Sequence, residues 1–151
     1  MNVDLEIVSR FKLDAIETSV SDLAHALYSG PAGKKGTYLL ALECNRYPKN
    51  ADAGILALCA AVDRLSKMER RLWDRALSRR FDVGYELMAG VSRVTVALKP
   101  DTLRRVADLG AEVVLTCYRY AGEGEPSGPA NESQPIRLKP DRTSSAAGSR
   151  R

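Results

Sequence analysis

The sequence predicts an α+β domain: a mixed or antiparallel sheet with helices packed on one face. Three observations predict it. Stretches with apolar residues at every second position alternate with stretches at helical spacing. Caps and turn residues stand at most of the boundaries. The resulting order is β-α-β-α-β-β-α-β, and its last six elements form the ferredoxin-like β-α-β-β-α-β arrangement.

The first strand spans 3–9, with Val3, Leu5 and Ile7 on one face and Asp4 and Glu6 on the other. Asp14 then caps a helix, and Glu17 stands three residues on. Ile16, Val20, Leu23 and Leu27 share one side of that helix, which runs to Ser29-Gly30-Pro31. A Gly/Lys loop leads to a second strand over 37–45, carrying Tyr38, Leu40, Leu42 and Cys44 on one side. After the Tyr47-Pro48 turn, Asn50 is the N-cap of a stretch that stays helix-compatible to Arg80. A single rod of that length would be about 45 Å, large for this domain, so a bend fits at 64–66. Strands follow at 81–87 and 91–98, joined by Met88-Ala89-Gly90 as a hairpin turn. Pro100 and Asp101 open the last helix, and Gly110 closes it. The final strand, 112–120, sets Val113, Leu115 and Cys117 against Val114, Thr116 and Tyr118. Residues 12–23 and 99–109 also echo one another, as two strand-to-helix units with similar caps do; a twofold pseudo-symmetry is the lesser reading of that echo.

The chain has 151 residues and a formal net charge of +4. One domain is expected over 1–121, with a disordered tail over 122–151. That tail holds four of the seven prolines, four of the eleven glycines and no aromatic. Its single apolar island is Ile136-Arg137-Leu138. The longest apolar run, 53–62, is about half of the ~20 residues a membrane span needs. The N-terminal ten residues carry Asp4 and Glu6 and no signal-type apolar core. Three widely spaced cysteines suggest no disulfide framework, so a cytoplasmic location is expected. One histidine excludes two-histidine zinc motifs. That residue, His25, lies opposite the apolar stripe of its helix and is expected in solvent.

Several groups are candidates for chemistry. Residues 30–37 contain Gly33-Lys34-Lys35-Gly36, but a helix precedes and a strand follows, the reverse of a phosphate-binding loop. Arg64, Lys67, Arg71, Arg75 and Arg79 recur at spacings of three and four, one face of the long helix. Such a face suits nucleic-acid phosphates or an acidic protein, or is simply solvated. Glu69 falls within the apolar stripe of the same helix, where a carboxylate needs a partner or serves as an acid/base group. Asp4, Glu6, Glu43, Asp82 and Glu86 point away from the core side of the sheet. They suit a basic protein surface, or form the wet side of an antiparallel sheet. No short D-x-D cluster accompanies them, which argues against a metal site. The spacing of Asp4 and Glu6 on one strand argues against a glycosidase pair.

Residues 81–87, the run Leu98-Lys99-Pro100-Asp101-Thr102-Leu103-Arg104-Arg105-Val106-Ala107-Asp108-Leu109-Gly110-Ala111-Glu112-Val113, and Cys117-Tyr118 resemble a small bacterial family, domain of unknown function 4279. Lys12-Leu13-Asp14-Ala15-Ile16 resembles its strand followed by an acidic helix start. The likeness covers most of 3–120. Ala26-Leu27-Tyr28 and Thr37-Tyr38 depart from the leucine-glycine pair and the tryptophan usual there. The resemblance implies a fold and no catalytic residues. It adds weight to a binding role, since some related small α+β proteins act as immunity or partner-binding proteins.

The expectation is a non-catalytic protein-binding module, immunity-like in kind, with no cofactor and no membrane partner. Its contact surfaces are the acidic sheet face or the arginine face. A nucleic-acid-associated protein using the arginines is the first alternative. An enzyme with a carboxylate site is the second. Oligomeric state is not readable from these residues.

Overall fold

The computed structural model describes residues 1–87 and 93–119, all within one unit, Met1–Tyr120. Among the described residues there are five strands and four helices. They are β1 (Asn2–Ser9), α1 (Asp14–Val20), β2 (Ala24–Pro31), β3 (Tyr38–Cys44), α2 (Ala51–Asp63), α3 (Lys67–Asp74), β4 (Ser78–Leu87), α4 (Pro100–Asp108) and β5 (Glu112–Arg119). The strands form one mixed sheet in the order β2-β3-β1-β4-β5. β1 lies at its centre and pairs antiparallel with β3 and β4; β2 pairs antiparallel with β3, and β5 parallel with β4.

The period-two pattern of β1 decides which side is buried. Val3, Leu5 and Ile7 are at most 1% exposed. They meet Leu40 and Leu42 of β3 and Phe81 and Val83 of β4. The helices seal that same side with Ile16 and Val20 of α1, Ile55, Leu58 and Val62 of α2, Trp73 of α3 and Val106 of α4. Gly54 lets α2 approach the sheet closely, because a methyl group there would lie 2.8 Å from a Val3 methyl. Trp73 is fully buried and donates its indole N–H to the Leu109 carbonyl at 3.0 Å.

The largest departure from expectation lies at 24–31. The helix expected to reach Ser29 stops at Val20, and the chain turns into β2. Helical spacing held for Leu23 and Leu27, but β3 offers an unpaired edge, and pairing satisfies the backbone of both strands. A bulge between Ala26 and Tyr28 leaves Leu27 half-exposed. The Gly/Lys loop is therefore the turn of a β2–β3 hairpin, closed by Ala32 N–H on the Thr37 carbonyl at 2.8 Å. Gly36 supplies the positive φ of 77° that this turn requires.

The second departure is at 93–98, which forms no strand. Its alternation is nevertheless real: Val96 and Leu98 pack on the core as an extended segment. Lys99 N–H donates to Asp52 of α2 at 2.8 Å, tying this segment to a helix rather than to the sheet. The hairpin turn expected at Met88-Ala89-Gly90, the residues Val91 and Ser92, Tyr120 and the tail over 122–151 lie outside the described residues.

Asp14, expected to cap α1, is instead its first residue, with Leu13 at the N-cap and no side-chain cap bond; the remaining boundaries agree in part. Asn50 caps α2 by accepting Ala53 N–H at 2.8 Å. The helical stretch breaks at 64–66, and Ser66 starts α3 with a capping box. The helical rod ends at Asp74, and β4 begins at Ser78, ahead of the expected Phe81. Pro100 opens α4, and Gly110 follows it at φ 62°.

Candidate functional site

The outer side of the sheet carries the acidic residues that the strand pattern pointed to. Asp4 stands opposite Glu43 on one flank and Asp82 on the other. Glu43 in turn stands opposite His25 of β2. One row across the sheet thus reads His25, Glu43, Asp4, Asp82. Glu6 lies in the next row opposite Arg80, with its carboxylate 3.4 Å from Nε. Glu86 lies further along β4, opposite Tyr118 of β5. No helix among the described residues packs on this side.

Crowding perturbs the centre of the row. Burial, followed by the charges of Glu43, Asp82 and Glu6, pushes Asp4 from its ordinary 3.8 up to about 6. A hydrogen bond from Asn2 Nδ2 at 3.0 Å opposes that rise. The other Asp4 oxygen, Oδ1, is buried without a hydrogen-bond partner among the described residues. Asp82 accepts the Thr116 hydroxyl at 2.7 and 2.9 Å on its two oxygens. His25 lies 3.7 Å from Glu43 and 3.2 Å from Asn45 Oδ1. It is exposed, as expected, but on a strand beside an acid rather than on a helix.

Beside the acids, a cavity of about 390 Å³ is lined by Met1, Asn2, Tyr47, Gly84, Glu86 and Tyr118. Both tyrosines are largely exposed, Tyr47 at 78% and Tyr118 at 54%. The Tyr47 hydroxyl donates to the Met1 carbonyl at 2.7 Å. The Tyr118 phenol is pushed up by burial and then by Asp82, Asp4 and Glu6. Sequence reading set Tyr118 on the face of β5 opposite Cys117 but gave it no role. It missed Tyr47, which stands in a turn with no periodic signal.

The arginine stripe is not formed as one helical face. The helix breaks after Arg64 and ends before Arg75. Arg64 caps α2 and pairs with Asp22 at 2.5 Å. Lys67 and Arg71 remain exposed on α3. Arg75 lies just past α3, its guanidinium 4.3 Å from the centre of the Phe11 ring. Arg79 belongs to β4 and is structural. It donates to the carbonyls of Gly110 at 2.9 Å, Trp73 at 2.7 Å and Asp74 at 3.2 Å.

Glu69 is likewise a structural group. It accepts the Ser19 hydroxyl at 2.6 Å and Ser66 N–H at 2.7 Å, completing the capping box of α3. The Ser19 hydrogen bond, then those of Ser66, holds its carboxyl below the usual range. A general acid needs the opposite shift.

Cys44 borders a second cavity of about 410 Å³, beside Asn45, Arg46 and Asp22. Its thiol is pushed up by burial and by Glu43 and Asp4, which disfavours the thiolate. A third cavity, about 370 Å³, lies between Lys12–Asp14 and the β2–β3 hairpin. Among the described residues no group of three or more His, Cys, Asp or Glu side chains has the geometry to hold a metal ion. No helix among them is long and apolar enough to cross a membrane. Compared with family models, curated proteins and solved structures, the chain finds no match.

Proposed function

We propose that this chain is a non-catalytic protein-binding module, immunity-like in kind, whose acidic outer sheet face receives a basic protein surface. The carrying observation is the row Glu43, Asp4, Asp82 across three neighbouring strands, flanked by Glu6 and Glu86. Like charges placed side by side work against folding, as the raised Asp4 records. A basic partner would relieve that repulsion on binding. Nucleic acid is the weaker alternative. Its expected surface reduces to Lys67 and Arg71 with partly engaged neighbours, and the sheet face would repel phosphates.

The wider reading goes with this proposal. The first six elements, with α2 and α3 counted as one, run β-α-β-β-α-β, and their four strands lie in the order β2-β3-β1-β4, all antiparallel. We place the ferredoxin-like arrangement there, with α4 and β5 appended, rather than in the last six expected elements, which lack the strand at 93–98. The resemblance to domain of unknown function 4279 and a cytoplasmic location belong to the same reading.

The test is affinity capture from the source lysate with the full chain and with an Asp4→Lys/Glu43→Lys variant. The expected result is a partner retained by the wild type, lost with the variant, and reconstituted with purified components. Identical retention by both chains would remove the acidic face from the function.

A further inference from the structure

We infer that the cavity between Tyr47 and Tyr118 seats one cationic side chain, a lysine ammonium or an arginine guanidinium, from the basic protein partner. This rests on the acidic-face reading and names the point where that partner would be anchored.

Gly84 forms the floor, and it has no side chain where the neighbouring strand brings Asn2 across. A Cβ at that position would collide with Asn2 Oδ1, so the glycine makes room for the Asn2 side chain, which lies across it at the edge of the cavity. Two tyrosines, Tyr47 and Tyr118, line the cavity, and aromatic faces attract cations through their negative quadrupole. The hydrogen bond from the Tyr47 hydroxyl to the Met1 carbonyl restrains one ring. Glu86 supplies a carboxylate within the lining, and among the described residues no lysine or arginine side chain lines it.

The surroundings favour the same charge. Asp82 stands one register step from Gly84 along β4, and Asp4 is opposite Asp82. Both carboxylates act on the Tyr118 phenol, so their field reaches the cavity. An anionic ligand would meet this field unfavourably. A neutral apolar side chain would leave Glu86 and Asn2 against a surface unable to bond them. A cationic side chain with a methylene stem meets both the rings and the carboxylate.

The test uses the full-length chain and capped hexalysine, with capped hexaglutamate as the control, followed by amide NMR at low salt. Saturable shifts are expected at Asn2, Tyr47, Gly84 and Glu86 with hexalysine alone. A Tyr47→Leu/Tyr118→Leu variant keeps every charge and is expected to bind at least about five-fold more weakly. Glu86→Gln is expected to weaken binding by a similar factor, and its neutral, near-isosteric change at an exposed position leaves the fold intact. Should both variants bind as the wild type does while Asp4→Asn/Glu43→Gln weakens binding, the acidic face stands and the cavity proposal falls. If the tyrosine and Glu86 variants weaken binding while Asp4→Asn/Glu43→Gln does not, the cavity stands and the wider face falls. Absence of saturable shifts in the wild type overturns both.

Discussion

Asp4→Asn should stabilise the folded chain at neutral pH. The carboxyl of Asp4 is raised from 3.8 to about 6, chiefly by burial and then by Glu43, Asp82 and Glu6. For a fully dry site that rise corresponds to about 3 kcal/mol. Asp4 is only half-buried. Solvent screening therefore reduces the cost to about 1 kcal/mol. Because the folded pKa is the higher one, the native chain binds more protons than the unfolded chain between about pH 4 and pH 6. Stability falls as pH rises through that window, and the whole penalty persists above it. Asparagine removes the charge, keeps an acceptor for Asn2 and offers N–H groups to Glu43 and Asp82. Urea unfolding followed by Trp73 fluorescence should show a gain of about 1 kcal/mol at pH 7.5. Most of that gain should be gone at pH 4. A loss of stability at pH 7.5, or an equal gain at both pH values, would refute the account of Asp4. The same variant should bind a basic partner more weakly, separating the face's role in binding from its effect on folding.

Four further outcomes test the structure. Arg79→Lys should lose about 2 kcal/mol in chemical denaturation, because lysine cannot reproduce the guanidinium's hydrogen bonds to three carbonyls. Arg71→Ala, on an exposed position of α3, should change stability by less than about 0.5 kcal/mol. Gly54→Ala should cost about 1–3 kcal/mol despite alanine's better helix propensity, since its methyl would press on Val3 and Pro48; thermal unfolding reads this directly. In the native chain Cys117, which is exposed, should react with an aromatic disulfide reagent well before the other two thiols. Cys59 is buried and pushed up to about 11, so it should react only after unfolding.

Local signals made much of the fold legible. The alternation in β1 specified a buried side and an acidic side without knowledge of either neighbour. Caps were legible only in part: Asn50 satisfies a helix N–H group from within four residues, whereas Asp14 is the first residue of α1 rather than its cap, and the Ser66–Glu69 box went unread. The two errors share one cause. At 24–31 and at 93–98 the apolar spacing was compatible with the expected element, but partner availability decided the outcome. The open edge of β3 drew 24–31 into the sheet. At 93–98 the apolar alternation served packing on the core without a ladder. The arginine spacing misled for a related reason. A spacing of three and four defines one face only while the helix continues, and this one breaks twice.

For the candidate site, the chain by itself determined which carboxylates share a face. Side chains two apart on a strand must point the same way, so Asp4 with Glu6, and Asp82 with Glu86, were fixed by the pleat. Only the tertiary structure decided which strands are neighbours. The registers align Glu43, Asp4 and Asp82 in one row and bring Tyr47 and Tyr118 to one cavity. Those meetings join residues distant along the chain. They depend on strand order and pairing register, set by burial of the whole inner face rather than by any local run of residues.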